Sequence, residues 1–99
     1  MSLLHPDKQD VSSKEGESVT LSCSYTATSD YIYLYWYRQH SNQGPQFILF
    51  KGARALNGNE HNPDKQFKST TTRNSTQLTI PSLTIADTAI YYCAQTVAQ

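Results

Sequence analysis

No apolar run in the sequence approaches the roughly 20 residues that a membrane-spanning helix needs, so no span is expected within it. No block of like charge occurs either. Eight Lys and Arg balance eight Asp and Glu, and the electrostatic footprint of a nucleic-acid or anionic-membrane binder is missing. Helical periodicity of useful length is nearly absent, as are internal repeats and low-complexity tracts. Cysteine is confined to Cys23 and Cys93, with no Cys-x-x-Cys and no Cys/His cluster beside either. That pattern suits a disulfide better than a metal site. His5, His40 and His61 are scattered over expected loops without ligand spacing, no serine or cysteine sits in a nucleophile motif, and no glycine loop opens a helix for phosphate. Catalysis, a metal and a cofactor are therefore not expected.

What the sequence does contain is 99 residues, 37% hydrophobic and 16% charged, enough for one modest core and one domain over 1–99. A Cys23–Cys93 bond implies an oxidising compartment. On the chain-entropy model a loop of that size contributes roughly 4 kcal/mol, an upper figure.

The apolar pattern has the period of two that marks β-strands. Val19, Leu21 and Cys23 alternate with Ser18, Thr20, Ser22 and Ser24 after a turn at Glu15-Gly16-Glu17. Tyr25 to Tyr33 reads as a polar loop. In Leu34-Tyr35-Trp36-Tyr37-Arg38-Gln39, Leu34 and Trp36 point one way and Tyr35, Tyr37 and Gln39 the other. After the turn Ser41-Asn42-Gln43-Gly44-Pro45 comes Phe47-Ile48-Leu49-Phe50, a strand hairpinned onto the first. Lys51 to Asp64 is expected to be irregular, with at most a short edge strand near Ala53–Leu56 and a tight turn at Asn57-Gly58. Phe67 to Thr72 reads as a strand, Arg73 to Thr76 as a turn, and Leu78-Thr79-Ile80 as its return. Short strands at this spacing indicate an all-β sandwich.

The last third of the chain carries Asp87-Thr88-Ala89-Ile90-Tyr91-Tyr92-Cys93. This resembles the Asp-x-Ala-x-Tyr-x-Cys signature of immunoglobulin variable-type domains, and the spacing of Cys23, Trp36 and Cys93 matches that family from Val11 to Ala94. The resemblance implies a two-sheet antiparallel β-sandwich of the V type, with Trp36 packed on the Cys23–Cys93 bridge, Leu34, Leu78 and Tyr91 in the core, and Tyr91 at the tyrosine-corner position. In the family an arginine before the strand phenylalanine pairs with the residue at Asp87. Here Gln66 precedes Phe67, so either Lys65 or Lys68 substitutes or Asp87 is only a turn residue. Trp36-Tyr37-Arg38-Gln39 and Cys93-Ala94 look more like a T-cell receptor chain, of alpha or delta type, than an antibody light chain.

Two surfaces follow from the resemblance. Tyr35, Tyr37, Gln39, Pro45, Phe47, Phe50 and Tyr92 fall on the face that pairs one variable domain with another, as a homo- or heterodimer, with Gln39 suited to a self-complementary amide pair. Residues 27–33 and 51–57 match the first two hypervariable loops. Tyr31, Tyr33 and Arg54 are the expected ligand contacts, with Ser29, Asp30, Lys51 and Gln95 beside them. The ligand class implied is an MHC-type presenting protein with its peptide. Asn74-Ser75-Thr76 is a glycosylation sequon in an expected turn, a motif that also arises by chance.

Met1 is read as a start residue ahead of a mature ectodomain, since the first residues lack the pattern of a signal peptide; the missing anchor then marks a fragment of a cell-surface receptor. Nothing after Cys93 matches the Phe-Gly-x-Gly of a final strand. The last strand is thus expected to be missing or incomplete, leaving the Cys93 strand with unpaired backbone at a sheet edge, a route to self-association. The alternative is a non-rearranging variable-type receptor or adhesion ectodomain, which shares the fold but does not use a joined third loop. A small-molecule carrier or enzyme would require a deep polar pocket, of which the sequence gives no sign.

Overall fold

Because side chains on a strand alternate between faces, each half-apolar segment can bury one face only against a second sheet. In the computed structural model, which describes residues 7–11 and 15–97, eight strands solve this as two antiparallel sheets. They are β1 (Asp7–Val11), β2 (Val19–Ser24), β3 (Tyr31–Gln39), β4 (Gln46–Arg54), β5 (Glu60–His61), β6 (Lys68–Thr71), β7 (Ser75–Ile80) and β8 (Ala89–Val97). One sheet has the order β1-β8-β3-β4-β5 and the other β2-β7-β6. The all-β sandwich expected from the sequence is borne out. Expectations for Met1–Pro6, His5 included, and for the last two residues lie outside the described residues.

The core forms where the two sheets face each other. Leu21 and Cys23 of β2, Trp36 of β3, Ile48 and Leu49 of β4, Leu78 and Ile80 of β7, and Tyr91 and Cys93 of β8 share one cluster around the Cys23–Cys93 disulfide. Trp36 lies opposite Cys93 on one side and Leu49 on the other. Its indole is fully buried, and its Nε1–H donates to Thr76 Oγ1 at 3.4 Å. A second cluster, Tyr25, Ile32, Leu34 and Ala53, extends the core toward the loop end.

Four boundaries differ from the sequence reading. β3 begins at Tyr31, so Tyr31 and Tyr33 are strand residues. β4 runs on to Arg54, which puts Ala53 in the core, and the short edge strand is Glu60–His61 instead of Ala53–Leu56. β7 starts at Ser75, so Thr76 points inward where a turn was expected. The Cys93 strand is not left bare along its length: β1, which the sequence pattern did not reveal, pairs antiparallel with it from Asp7↔Cys93 to Val11↔Ala89. Only Ala94–Val97 have β3 as their one strand neighbour among the described residues.

At the end of the sandwich opposite the loops, Asp87 closes a one-turn 3₁₀ helix, Ile85–Asp87. It is buried. Oδ2 accepts from the Thr84 N–H at 2.9 Å and the Thr84 hydroxyl at 3.2 Å, and Oδ1 accepts from Gln66 Nε2 at 3.2 Å and faces Arg38 at 3.5 Å. Neither Lys65 nor Lys68 substitutes for the arginine of the family pair. Gln66 keeps the hydrogen bond, and Arg38, from the other sheet and 5.5 Å over the Phe67 ring, supplies the charge.

The Tyr91 hydroxyl donates to Asp87 O at 2.8 Å, the tyrosine-corner bond, and burial raises its pKa above the ordinary phenol value. The folded chain therefore holds this proton more tightly than the unfolded chain. That contribution is fully present below about pH 10, where an unfolded tyrosine titrates, and is lost as pH rises through the folded value. Urea midpoints measured from about pH 8 to about pH 11 should be level at first and then fall. Tyr91→Phe should be less stable by about 1 kcal/mol near neutrality and show a shallower alkaline decline.

Candidate functional site

The aromatic face is the reverse side of the Trp36 strand. With Ile32, Leu34 and Trp36 inward, Tyr33, Tyr35 and Tyr37 must face out. On β4 simple alternation would put Phe47 and Phe50 on opposite faces. A β-bulge between Trp36 and Tyr37 resolves this: Trp36 pairs with Leu49 and Tyr37 with Phe47, so Ile48 is the extra residue and turns inward with Leu49. Phe47 and Phe50 then share the outer face.

The rings are contiguous. Tyr33 meets Phe50 edge-on at 5.3 Å, Tyr35 stacks on Tyr37 at 6.2 Å, and Phe47 touches Tyr37 at 6.1 Å. His61 of β5 lies 5.8 Å from Phe47 and 5.9 Å from Phe50. Phe47 is 40% exposed. Tyr37's pKa is raised by burial and, less, by Tyr35. At the rim Gln39 Nε2 donates to Gln43 O at 2.7 Å and its Oε1 accepts from Tyr92 at 3.1 Å, with Pro45 exposed nearby. Tyr33 was assigned by sequence to the loops although its parity with Tyr35 marks this face. His61 gave no signal, because a two-residue strand has no period.

The loop end gathers the chain between β2 and β3, the turn after β4 and the 72–74 turn. Tyr31 is 54% exposed, its N–H bonded to Ser29 Oγ at 3.0 Å, and Asp30 is exposed. Lys51 is committed elsewhere: Nζ donates to Ser69 O at 2.7 Å and lies 3.9 Å from Glu60. Gln95, expected among the recognition loops, is corrected by its position within β8 at 3% exposure, its Nε2 directed at Thr26 O. Arg54 also turns inward, onto backbone carbonyls of the neighbouring loops. Gly52 shapes the turn that follows. A Cβ there would stand 2.2 Å from Leu56 O, so only glycine lets the chain fold back that closely. Among the described residues no cluster of His, Cys, Asp or Glu could hold a metal ion.

Comparison with known proteins agrees with the fold. The family model of the immunoglobulin V-set domain matches residues 6–98. The chain belongs to the immunoglobulin V-set family. Human T cell receptor alpha variable 26-1 is 40% identical over 79 residues, covering 80% of this chain and 69% of that protein. Human T cell receptor alpha variable 3 is 34% identical over 95 residues, covering 94% and 79%. The rabbit T-cell receptor alpha chain V region RL-5 is 37% identical over 82 residues, covering 81% of this chain and 58% of its own length. With such relatives this V-set domain is an antigen-receptor variable domain of T-cell receptor alpha-like sequence, a binding module and not an enzyme.

Replacing Gly52 of β4 tests how tightly the turn after that strand is built. Gly52→Ala should cost about 1–3 kcal/mol, since the obstacle is backbone oxygen and not a flexible side chain. Amide exchange should quicken at Gly52 and Asn59, whose N–H groups bond Asn59 O and Leu56 O.

Proposed function

We propose that this V-set domain pairs with a second variable domain through the outer face of β3, β4 and β5, and that the paired loop ends bind an MHC-type protein carrying a peptide. The observation that carries the pairing half is the contiguous aromatic face with Phe47 standing out of it, of a kind that interfaces bury and monomers limit. The recognition half is supported by exposed polar and aromatic groups at the loop end, Asp30 of the first loop and Tyr31 at the start of β3 foremost, held on a rigid sandwich. The disulfide fits an extracellular location as the ectodomain of a cell-surface receptor, and no helix among the described residues is long and apolar enough to cross a membrane. Asn74 is exposed in its turn, while the sequon's Thr76 hydroxyl is buried against Trp36. A glycan at Asn74 would therefore be added before the strand closes over Thr76.

Sedimentation velocity over a concentration series, for the chain alone and mixed with variable domains of a complementary T-cell receptor chain, tests the pairing. A dimer is expected in at least one mixture, and Phe47→Asp should weaken it at least about tenfold while leaving the melting temperature nearly unchanged. A monomer in every mixture, or a dimer indifferent to Phe47→Asp, would count against this face.

A further inference from the structure

Arg54 has a left-handed backbone, φ 57, in a residue with a full side chain. Such a conformation is uncommon for residues other than glycine, asparagine and aspartate, and for a long side chain it persists where surrounding contacts hold it. Arg54 pairs with Tyr31 in the ladder and its carbonyl accepts from the Asn57 N–H at 3.1 Å, and the side chain adds further contacts. Nη1 donates to Ala27 O at 2.7 Å and Ser29 O at 2.6 Å, and Nε and Nη2 donate to Arg73 O at 3.1 and 2.8 Å. The guanidinium carbon lies 5.3 Å over the Tyr25 ring. Tyr25 in turn bonds the same turn twice, its hydroxyl to Thr72 O and its N–H to Asn74 O at 3.0 Å. Two further links close the ring: Ala55 N–H to Asp30 O at 2.9 Å, and Arg73 to the Asp30 carboxylate at 3.6 Å.

We infer that Arg54 is a positioning residue that locks the first loop, its own turn and the 72–74 turn into one preformed surface. Its place in recognition rests on reading the loop end as the ligand-binding surface; the locking itself does not. The planar guanidinium reaches carbonyls on two sides at once, which the single ammonium of a lysine on a flexible stem cannot reproduce. The first loop thus takes its shape from residues that need never touch a ligand, and a change at Arg54 or in the 72–74 turn alters recognition indirectly.

The test is NMR on the ¹⁵N-labelled chain with Arg54→Lys and Arg54→Gly, the second of which also relieves the backbone strain. In the parent chain the Arg54 Nε–H should show a heteronuclear NOE as rigid as the strand backbone. In both variants the amides of Tyr25, Tyr31 and Ala55 should exchange at least about tenfold faster, while those of Trp36 and Leu78 stay within about threefold. A mobile Nε–H in the parent, protection retained in Arg54→Lys, or equal acceleration at Trp36 and Leu78 would overturn the proposal. No ligand enters the measurement, so a failure of recognition at the loop end would leave these rates as they are.

Discussion

The dry contact of Trp36 with the Cys23–Cys93 bridge is the constraint on which the other features depend. An indole with no exposure must have its sheet covered, its N–H bonded and its strand held in one register. Thr76 of the opposite sheet meets the second requirement, and pairing to Cys93 and Leu49 meets the third. Once Trp36 points in, Tyr35 and Tyr37 have to point out. The interaction face is thus the geometric complement of the core, and a one-residue slip in β3 would destroy both together.

This dependence explains why so much was legible beforehand. Trp36, Leu34, Leu21 and Leu78 each lie in a strand whose alternation is intact, and the two cysteines and Asp87-x-Ala89-x-Tyr91 stand at fixed offsets from it. Alternation is a local signal, and it survives as long as the strand is regular. It fails at the bulge, where Ile48 and Leu49 both turn inward and Phe47 and Phe50 become neighbours on one face. It is also silent on what a strand pairs with. Nothing in Asp7–Val11 announces that it will lie antiparallel along β8, because that pairing is decided by the free edge of a strand some eighty residues away.

Side-chain commitments were the least legible part of the candidate site. Tyr, Arg, Lys and Gln in a polar stretch read equally well as ligand contacts or as internal ties. Tyr31 is open to solvent, but Lys51, Arg54 and Gln95 direct their polar atoms at backbone carbonyls. The left-handed φ of Arg54 could not be read from its identity, since glycine or asparagine is the usual marker of that region.

The two ends of the sandwich use the same physical device with opposite polarity. At the loop end a cation, Arg54, is satisfied by neutral carbonyls of three residues. At the far end an anion, Asp87, is satisfied by an N–H, a hydroxyl and an amide, with Arg38 beside it at partial exposure. A buried ion pair must repay the desolvation of two charges, whereas one charge met by several dipoles already fixed in the backbone desolvates a single ion. Gln66 stands where the family has an arginine, and both dipoles and a partly exposed cation meet Asp87. The amide returns one donor to Asp87, and the charge comes instead from Arg38, on the strand next to β8, whose guanidinium also lies over Phe67 at the start of the other sheet. The substitution therefore moves the tie without removing it. The sheets remain joined at that end through β3, the strand that carries Trp36.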